Sequence, residues 1–235
     1  MSIKHLAIIM DGNRRWAVSN GLTIFDGYKK GVEIAKKVVD LAIQKKILHL
    51  TLFALSIENW KRAQSETNYL QALMQSYLES YAKNYHDYGV KFTVVGEKKR
   101  LSLKLQQVIK EVELLTINNS ILNLYIAFSY SGRSEIMDAC KKMISANVNT
   151  EDITEQEFRK YLYSPTMPDI DLLIRTSGEQ RISNFLLWHL VYSELYFVSK
   201  YWPDFDEVDF NMALEDYLRR KRTFGLSKKQ IKNEY

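Results

Sequence analysis

Short apolar runs alternate along the chain with longer stretches in which apolar residues recur at helical spacing. Such an alternation is typical of successive β–α–β units. The short runs are apolar at nearly every position, so both faces of each strand are expected to be buried, as in a parallel sheet covered by helices. The predicted strands are 6–10, 48–55, 90–95, 122–128 and 170–174.

The longer stretches predict helices, and no linker, repeat or low-complexity tract separates them. With 235 residues, 46% of them hydrophobic, the chain can bury one substantial core. The expected fold class is therefore α/β, a single domain over 1–235 with a mostly parallel central β-sheet flanked by helices. The predicted helices are 27–46, 66–88, 101–118, 134–147, 155–163 and 208–222.

Composition indicates the cellular compartment in which the protein is expected. Cys140 is the only cysteine, which leaves no partner for an intrachain disulfide, and no Cys/His cluster at zinc spacing occurs. The first apolar run is cut short by Asp11 and a later one by polar residues, so neither a signal peptide nor a transmembrane helix is predicted. These features favour a reducing, cytoplasmic location.

The formal net charge of +5 suits phosphate-bearing ligands, nucleic acid and an anionic membrane surface about equally. A nucleic-acid-binding motif is missing, which disfavours the second partner. Much of the positive charge lies near the carboxyl end, where a solvated helix end is the commoner explanation and a weak membrane anchor the alternative. The residues concerned are Arg219, Arg220, Lys221, Arg222, Lys228, Lys229 and Lys232.

Polar segments follow four of the predicted strands. In a parallel α/β sheet the carboxyl ends of the strands meet at one edge, where ligands bind. Arginines in these segments suit forked recognition of phosphate oxygens, and a Gly–Asn turn opening a helix adds backbone N–H donors. Asp11 and Glu194 become useful there if Mg²⁺ bridges carboxylate and diphosphate. The segments are 11–16 (DGNRRW), 56–62 (SIENWKR), 129–133 (SYSGR) and 175–181 (RTSGEQR).

Each of these residues also has a purely structural explanation. Asp11 could serve only as a helix N-cap. A lone arginine such as Arg62, Arg175 or Arg181 is commonly a surface ion-pair partner. Turn or core positions would account for Ser56, Asn59, Trp16 and Trp60. Independent surface residues would not be expected to collect after successive strands, so the joint pattern favours an anion pocket.

Helix 66–88 carries an apolar stripe at helical spacing. Core packing explains the stripe, and the lining of a hydrophobic tunnel is the alternative. Neither GxGxxG after a strand nor GxxxxGK[ST] occurs, so dinucleotide and P-loop sites are not supported. The stripe consists of Leu70, Leu73, Met74, Tyr77, Leu78 and Tyr81.

Four blocks of the sequence together resemble the cis-prenyltransferase family. They are HLAIIMDGNRRWA, LTLFALSIENWKR, YSGRSEI and DLLIRTSGEQRISNFLLW, the last continuing through SELYF to WPDFDEVDF. The resemblance implies a Mg²⁺-dependent enzyme that extends an allylic diphosphate, such as farnesyl diphosphate, by repeated addition of isopentenyl diphosphate with cis double bonds. The implied product is a long polyprenyl diphosphate of undecaprenyl length, a precursor of the lipid carrier for cell-wall polysaccharide.

The same resemblance implies roles by position. Asp11 is implied to be the essential Mg²⁺-linked carboxylate, Glu194 the second Mg²⁺ ligand, and Asn59 the residue that helps to remove the isopentenyl proton. The allylic diphosphate would be held by Gly12, Asn13, Arg14 and Arg15, with Trp16 beside them. Ser56 and Glu58 would lie beside Asn59, and Trp60 and Arg62 would shape the substrate pocket. Arg175, Arg181 and Ser183 would hold isopentenyl diphosphate. Ile24, Tyr28, Ile57 and Ile182 complete the expected substrate-binding set.

Several positions depart from the family's usual residues. Ile24 and Thr223 each stand where an arginine is common, Tyr28 where a histidine is common, and Arg14 where a glycine is frequent. Ile57 replaces a frequent serine and Ser129 a frequent asparagine. These departures motivate one alternative, a non-catalytic scaffold subunit of the same fold, although the acidic and arginine set is retained. The resemblance further implies a homodimer, peripheral contact of the enzyme with the inner face of the membrane through its product, and no nucleic acid partner.

Overall fold

The structure, a computed structural model, describes residues 3–222. Its strands are β1 (His5–Ile9), β2 (His49–Ser56), β3 (Val90–Val95), β4 (Leu122–Tyr130), β5 (Leu172–Arg175) and β6 (Glu194–Phe197). They form one sheet in the order β3-β4-β2-β1-β5-β6, and every neighbouring pair runs parallel. The carboxyl ends of all six strands therefore lie at one edge, here called the pocket edge.

Helices connect the strands and cover both faces of the sheet. They are α1 (Asn13–Ser19), α2 (Ile24–Gln44), α3 (Gln64–Asp87), α4 (Leu103–Leu115), α5 (Gly132–Ser145), α6 (Glu155–Arg159) and α7 (Glu207–Arg219). Short 3-10 segments lie at Ile57–Lys61, Lys98–Arg100, Thr150–Asp152 and Trp202–Asp204. None of the helices described over 3–222 is both long and apolar enough to cross a bilayer.

Side-chain caps fix where the helices begin. Thr23 accepts the N–H of Asp26 and Asp26 in turn accepts the N–H of Thr23, a capping box that starts α2. Asp206 and Asp209 form the same arrangement at α7. Ser131 caps α5. Each cap satisfies N–H groups that have no partner within the helix, so these helix starts are encoded locally.

The core lies on both faces of the sheet because successive strand residues point to opposite sides. Leu6 and Ile8 of β1 face a large apolar cluster that includes residues of α2, α3, α4 and α7. Ala7 and Ile9 face a second, smaller cluster with Phe185. Burial on both sides explains why the strand sequences show almost no alternation.

The predicted α/β class with a parallel sheet is confirmed, and the five predicted strands lie within two residues of the observed bounds. The four-residue strand β6 was not predicted, because its side chains are only half-buried at the sheet edge and include the charged Glu194. The predicted helix 155–163 ends at Arg159, after which the backbone tightens into i→i−3 hydrogen bonds, as from the Tyr161 N–H to the Phe158 carbonyl. The helix predicted to reach residue 222 ends at Arg219, and the predictions for Thr223, Lys228, Lys229 and Lys232 lie outside the described residues.

Candidate active site

The turn from β1 into α1 brings the first polar segment to the pocket edge. Gly12 has φ of 108°, and a Cβ there would lie 2.8 Å from the ring of Tyr201, so a side chain is excluded at this position. Asn13 packs tightly against α2, where a Cβ on Gly31 would lie 2.3 Å from Asn13 Oδ1. The backbone N–H of Trp202 donates to the carbonyl of Asp11 at 2.9 Å. Close packing on three sides therefore fixes the position of Asp11.

A cavity of about 680 Å³ opens at this edge. It lies where the loops after β1, β2 and β5 meet, as the sequence predicts for a parallel sheet. Arginines from three separate segments line it, together with one aspartate. The predicted residues in its wall are Asp11, Gly12, Asn13, Arg14, Arg15, Tyr28, Ser56, Asn59, Arg62, Arg175 and Ser183.

Arg175, at the end of β5, organises one side of this cavity. Its side chain is only 5% exposed, and Nη2 donates to Asp11 Oδ2 at 2.8 Å. Nη1 donates to Ser183 Oγ at 2.7 Å and to the carbonyl of Arg181. Arg15 Nη2 lies 3.2 Å from the other carboxylate oxygen of Asp11. Asp11 is thus neutralised by two guanidinium groups, and the region as a whole remains positively charged.

A second group of contacts centres on Glu66, a carboxylate that the sequence interpretation did not include. Its side chain is 5% exposed and accepts hydrogen bonds from the Tyr28 hydroxyl and from Arg62 Nη1, the latter at 3.1 Å. Arg14 Nη1 lies 3.6 Å away. Burial, followed by the hydrogen bond to Glu66, raises the pKa of Tyr28, so its hydroxyl stays protonated as a donor. The i,i+4 spacing of Arg62 and Glu66 was the available sequence signal.

Two of the departures from the family's usual residues therefore contact the same carboxylate, that of Glu66. Arg14 and Tyr28 lie on different helices and both contact Glu66. Tyr28 keeps a hydrogen-bond donor at its position, and Arg14 adds a positive charge in the pocket wall. Ile24, the first residue of α2, is partly buried and does not line the cavity.

The loop that carries Ser183 has unusual backbone geometry. Ser183, Asn184 and Leu186 have φ of 49°, 61° and 38°, in the left-handed region that non-glycine residues rarely adopt. Asn184 holds the loop: its Nδ2 donates to Glu58 at 2.8 Å and to Ser131 Oγ at 2.7 Å. Such geometry persists only where surrounding contacts impose it, and here it directs Ser183 toward Arg175. Sequence interpretation missed Asn184, because nothing local distinguishes it from a turn residue.

Other predicted site residues lie around the cavity and outside its wall. Trp16 donates to Asp204 Oδ1 at 2.7 Å on the outer side of α1. Trp60 donates to Ser129 Oγ at 3.0 Å and packs against the core. The side chain of Arg181 is exposed and pairs with Glu179. Ile57, Glu58 and Ile182 likewise do not line the cavity. Of these, Glu58 acts on the site indirectly through Asn184.

The structure does not bring Glu194 to Asp11 within one chain. Glu194 is the first residue of β6 and is in register with Leu172 at the start of β5, whereas Arg175 at the end of β5 is in register with Phe197. Three residues of extended strand separate these levels by about 10 Å. The Glu194 carboxylate accepts a hydrogen bond from Arg220 at 2.8 Å. The expectation that both acids converge at one edge was wrong for the single chain, because strand register places them at opposite ends of the sheet.

Metal-binding side chains are sparse in this region. Within residues 3–222 no three His, Cys, Asp or Glu side chains are grouped so as to hold a metal ion. Asp11 is the carboxylate in the cavity wall. A single carboxylate suits Mg²⁺, which commonly takes one or two protein carboxylates, several waters and substrate phosphates.

A smaller apolar cavity of about 90 Å³ adjoins the polar one. It lies between α2, α3 and the sheet, and Tyr28, Asn13 and Phe53 belong to both cavities. The stripe predicted on α3 divides here. Leu70, Leu73, Met74 and Tyr77 line the apolar cavity, whereas Leu78 is fully buried in the core and Tyr81 packs against it. Core packing therefore explains most of the stripe, and the lining of a tunnel stays a prediction.

The fold and the two cavities define a class of α/β protein with an arginine-lined cavity at the carboxyl edge of a parallel sheet and a smaller apolar cavity beside it. The family model for undecaprenyl diphosphate synthase matches residues 9–225. An isoprenyl transferase from Rickettsia typhi is 47% identical over 224 residues, covering 95% of this chain and 98% of that protein.

Two solved structures have the same fold. Lavandulyl diphosphate synthase from Lavandula x intermedia, in complex with dimethylallyl diphosphate, superposes with a TM-score of 0.90 at 37% identity, covering 95% of this chain and 98% of that one. A probable undecaprenyl diphosphate synthase from Campylobacter jejuni gives a TM-score of 0.81 at 31% identity, covering 96% and 99%. The chain belongs to the undecaprenyl diphosphate synthase family and is a prenyl-transferring enzyme.

Proposed function

We propose that this enzyme extends an allylic diphosphate, with farnesyl diphosphate as the primer, by successive isopentenyl diphosphate units joined through cis double bonds. The product would be a polyprenyl diphosphate of undecaprenyl length, a lipid-carrier precursor for cell-wall polysaccharide. One observation carries the proposal: an arginine-lined polar cavity and an apolar cavity share Tyr28, Asn13 and Phe53. A prenyl diphosphate has a matching division into a charged head and a hydrocarbon tail.

The polar cavity suits the chemistry of diphosphate departure. As the allylic C–O bond breaks, negative charge grows on the leaving diphosphate, so guanidinium groups held in place stabilise the transition state more than the ground state. Arg14, Arg15 and Arg62 line the cavity with part of each side chain accessible to a ligand. A dimethylallyl diphosphate bound to the lavandulyl diphosphate synthase supports an allylic diphosphate as the ligand class.

Arg175 and Ser183 would bind the second diphosphate, that of isopentenyl diphosphate. A hydrogen bond of 2.7 Å holds these two side chains together in the cavity wall. Asn59 lies in the same wall, and its Oδ1 accepts the N–H of Ser56 at 3.4 Å. This contact orients the Asn59 amide, which we assign to the handling of the isopentenyl proton after the new carbon–carbon bond forms.

Mg²⁺ is the proposed cofactor, and Asp11 is the residue of the described pocket that would hold it. When bound, the ion would neutralise charge on the departing diphosphate. Asp11 would also keep Arg175 and Arg15 oriented through its two carboxylate oxygens. Glu194, at the opposite end of the sheet, does not join this set within one chain.

The test is incubation of the purified chain with farnesyl diphosphate and labelled isopentenyl diphosphate, with Mg²⁺ or with EDTA, and mass analysis of the products. Long polyprenyl diphosphate is expected with Mg²⁺ and none with EDTA. Asp11→Ala should abolish extension, whereas Glu215→Ala, an exposed acid on α7, should not. Equal activity of Asp11→Ala and the unaltered enzyme would contradict the proposed mechanism.

A homodimer is also proposed. Strand β6 forms one edge of the sheet, and Leu195 on it is exposed, so this edge is available for a partner. Sedimentation velocity of the full chain should give twice the monomer mass of 27.6 kDa. A single species of monomer mass at micromolar concentration would contradict the dimer.

A further inference from the structure

The edge of the sheet opposite the pocket edge carries a group of exposed apolar side chains. They are between 46% and 61% exposed, although several belong to residue types that are usually buried. Contiguous apolar surface on a folded protein commonly marks a site of contact with another molecule or with a membrane. This group, here called the basal patch, consists of Leu48, Tyr88, Leu114, Leu115, Ile117 and Ile121.

Strand order shows that the patch is continuous. Tyr88, Ile121 and Leu48 precede β3, β4 and β2, which are consecutive neighbours in the sheet. The N–H of Ile121 donates to the carbonyl of Gly89 at 2.9 Å, and that of Asn123 donates to the carbonyl of Leu48 at 2.9 Å. Neighbouring strands are about 4.8 Å apart, so these side chains lie along one short line.

The end of α4 extends the patch. After α4 the chain stays close to β3, because Thr116 Oγ1 accepts the N–H of Phe92 at 3.1 Å and Asn119 Nδ2 donates to the carbonyl of Val90 at 2.9 Å. Ile117, between these two anchors, is 52% exposed. The apolar side chains at the end of α4 therefore lie beside Tyr88.

Positive charge borders the apolar side chains. Lys45 and Lys46 are exposed just before Leu48, and Lys4 is exposed at the start of β1, where its carbonyl accepts the N–H of His49 at 2.9 Å. Asp87 is an exposed acid next to Tyr88. The balance among these groups is positive.

Asp171, another acid at this edge, is engaged by other groups. Its carboxylate accepts a hydrogen bond from Arg222 and one from the backbone N–H of Lys4 at 2.8 Å. Its negative charge is thus compensated locally. Surfaces that bind anionic bilayers typically combine lysines with exposed aliphatic and aromatic side chains, as this surface does.

The position of the patch relative to the apolar cavity strengthens this interpretation, and this step alone rests on the proposed function. Helix α3 runs from the pocket edge to the basal patch, and Leu70, Met74 and Tyr77 line the cavity at successive turns. From Tyr77 to Tyr88 the helix rises about 16 Å. A hydrocarbon chain that outgrows the cavity along α3 would therefore be directed toward the patch.

We infer that the basal patch is the surface by which this enzyme rests on an anionic lipid bilayer. The apolar tips enter the interfacial region and the lysines contact acidic head groups. This places the membrane at the end of the molecule away from the diphosphate pocket.

Co-sedimentation of the full chain with vesicles tests the inference without reference to catalysis. Binding is expected to mixed phosphatidylglycerol–phosphatidylcholine vesicles and to be much weaker with phosphatidylcholine alone, and it should decline as salt rises. Lys45→Gln/Lys46→Gln should lower the partition coefficient by about fivefold per lysine. Leu48→Ser/Ile117→Ser should lower it at least about tenfold.

Matched controls lie at the pocket edge. Leu103 and Met137 are exposed apolar residues near the starts of α4 and α5, and Lys29 and Lys104 are exposed lysines. Leu103→Ser/Met137→Ser and Lys29→Gln/Lys104→Gln should bind vesicles like the unaltered chain. Thermal unfolding would verify that each variant is folded.

Three outcomes would overturn the inference. The first is binding without preference for the anionic vesicles, and the second is an equal loss of vesicle binding in the pocket-edge controls. The third is a change of oligomeric state in Leu48→Ser/Ile117→Ser, which would assign the patch to a second copy of the chain. An enzyme that is inactive but binds vesicles through the patch would refute the proposed function and leave this inference standing. An active enzyme that does not bind vesicles would support the proposed function and refute this inference.

Discussion

Glu66 is the residue whose replacement tests most directly how the two cavities are held together. In Glu66→Ala, the Tyr28 hydroxyl and Arg62 Nη1 both lose their acceptor, and Arg14 loses the charge 3.6 Å away. An unsatisfied buried hydroxyl costs about 1–3 kcal/mol. The Arg62 side chain is 31% exposed and can be rehydrated, so it adds less than a fully buried charge would.

The expected loss of unfolding free energy is therefore about 2–4 kcal/mol for Glu66→Ala. For a chain of this size each kcal/mol shifts the Tm by about 2–4 °C, so a decrease of about 4–16 °C is expected. Glu66→Gln keeps an acceptor oxygen and should lose only about 1 kcal/mol. Glu79→Ala, an exposed glutamate on the same helix, is the matched control and should change the Tm little.

Two assays check the reasoning. Thermal denaturation by circular dichroism gives the Tm values, and steady-state kinetics should show a raised KM for the allylic diphosphate in Glu66→Ala, because Arg14 and Arg62 line the pocket and are no longer held. A Tm for Glu66→Ala within about 1 °C of that of Glu79→Ala would refute the role of Glu66 as the common acceptor. So would a Glu66→Gln variant as unstable as Glu66→Ala.

Three further predictions concern other parts of the molecule. Asp11→Asn should reduce kcat about 10²–10³-fold, because the replacement keeps the shape of the side chain but removes the charge that orients Arg175. Steady-state turnover measures this loss, and thermal unfolding should show that the protein stays folded. Tyr77→Phe removes a buried hydroxyl without a hydrogen-bond partner among the described residues and should be neutral or stabilising by up to about 1 kcal/mol, whereas Tyr77→Ala should cost about 3–5 kcal/mol and lengthen the products seen by mass spectrometry. Burial lowers the pKa of His5 to about 3, so this group is neutral in the folded protein and binds a proton on unfolding below pH 6.5. The unfolding free energy should therefore fall by up to about 1.4 kcal/mol per pH unit as pH drops from about 6.5 towards 3. Chemical denaturation over this pH range measures the dependence of the unfolding free energy on pH. An equal dependence in His5→Gln would contradict this prediction.

The sequence by itself determined the fold class and the location of the pocket. Buried parallel strands are apolar at nearly every position, and the polar segments that interrupt them must lie at strand ends. Asp11, Arg62 and Arg175 could therefore be assigned to one edge from local order alone, and the structure places all three in one cavity wall. Helix caps such as Thr23 are equally local, because the donor and acceptor lie three residues apart.

Tertiary structure decided the contacts that depend on register and packing. Glu194 lies far from Asp11 because β6 pairs with β5 from its first residue, which the composition of a half-buried edge strand does not reveal. Glu66 joins Arg14 and Tyr28 only because α1, α2 and α3 pack together at one end of the sheet. Periodicity reports which face of an element is buried, whereas the meeting of distant side chains depends on how whole elements are placed. Local sequence does not encode that placement.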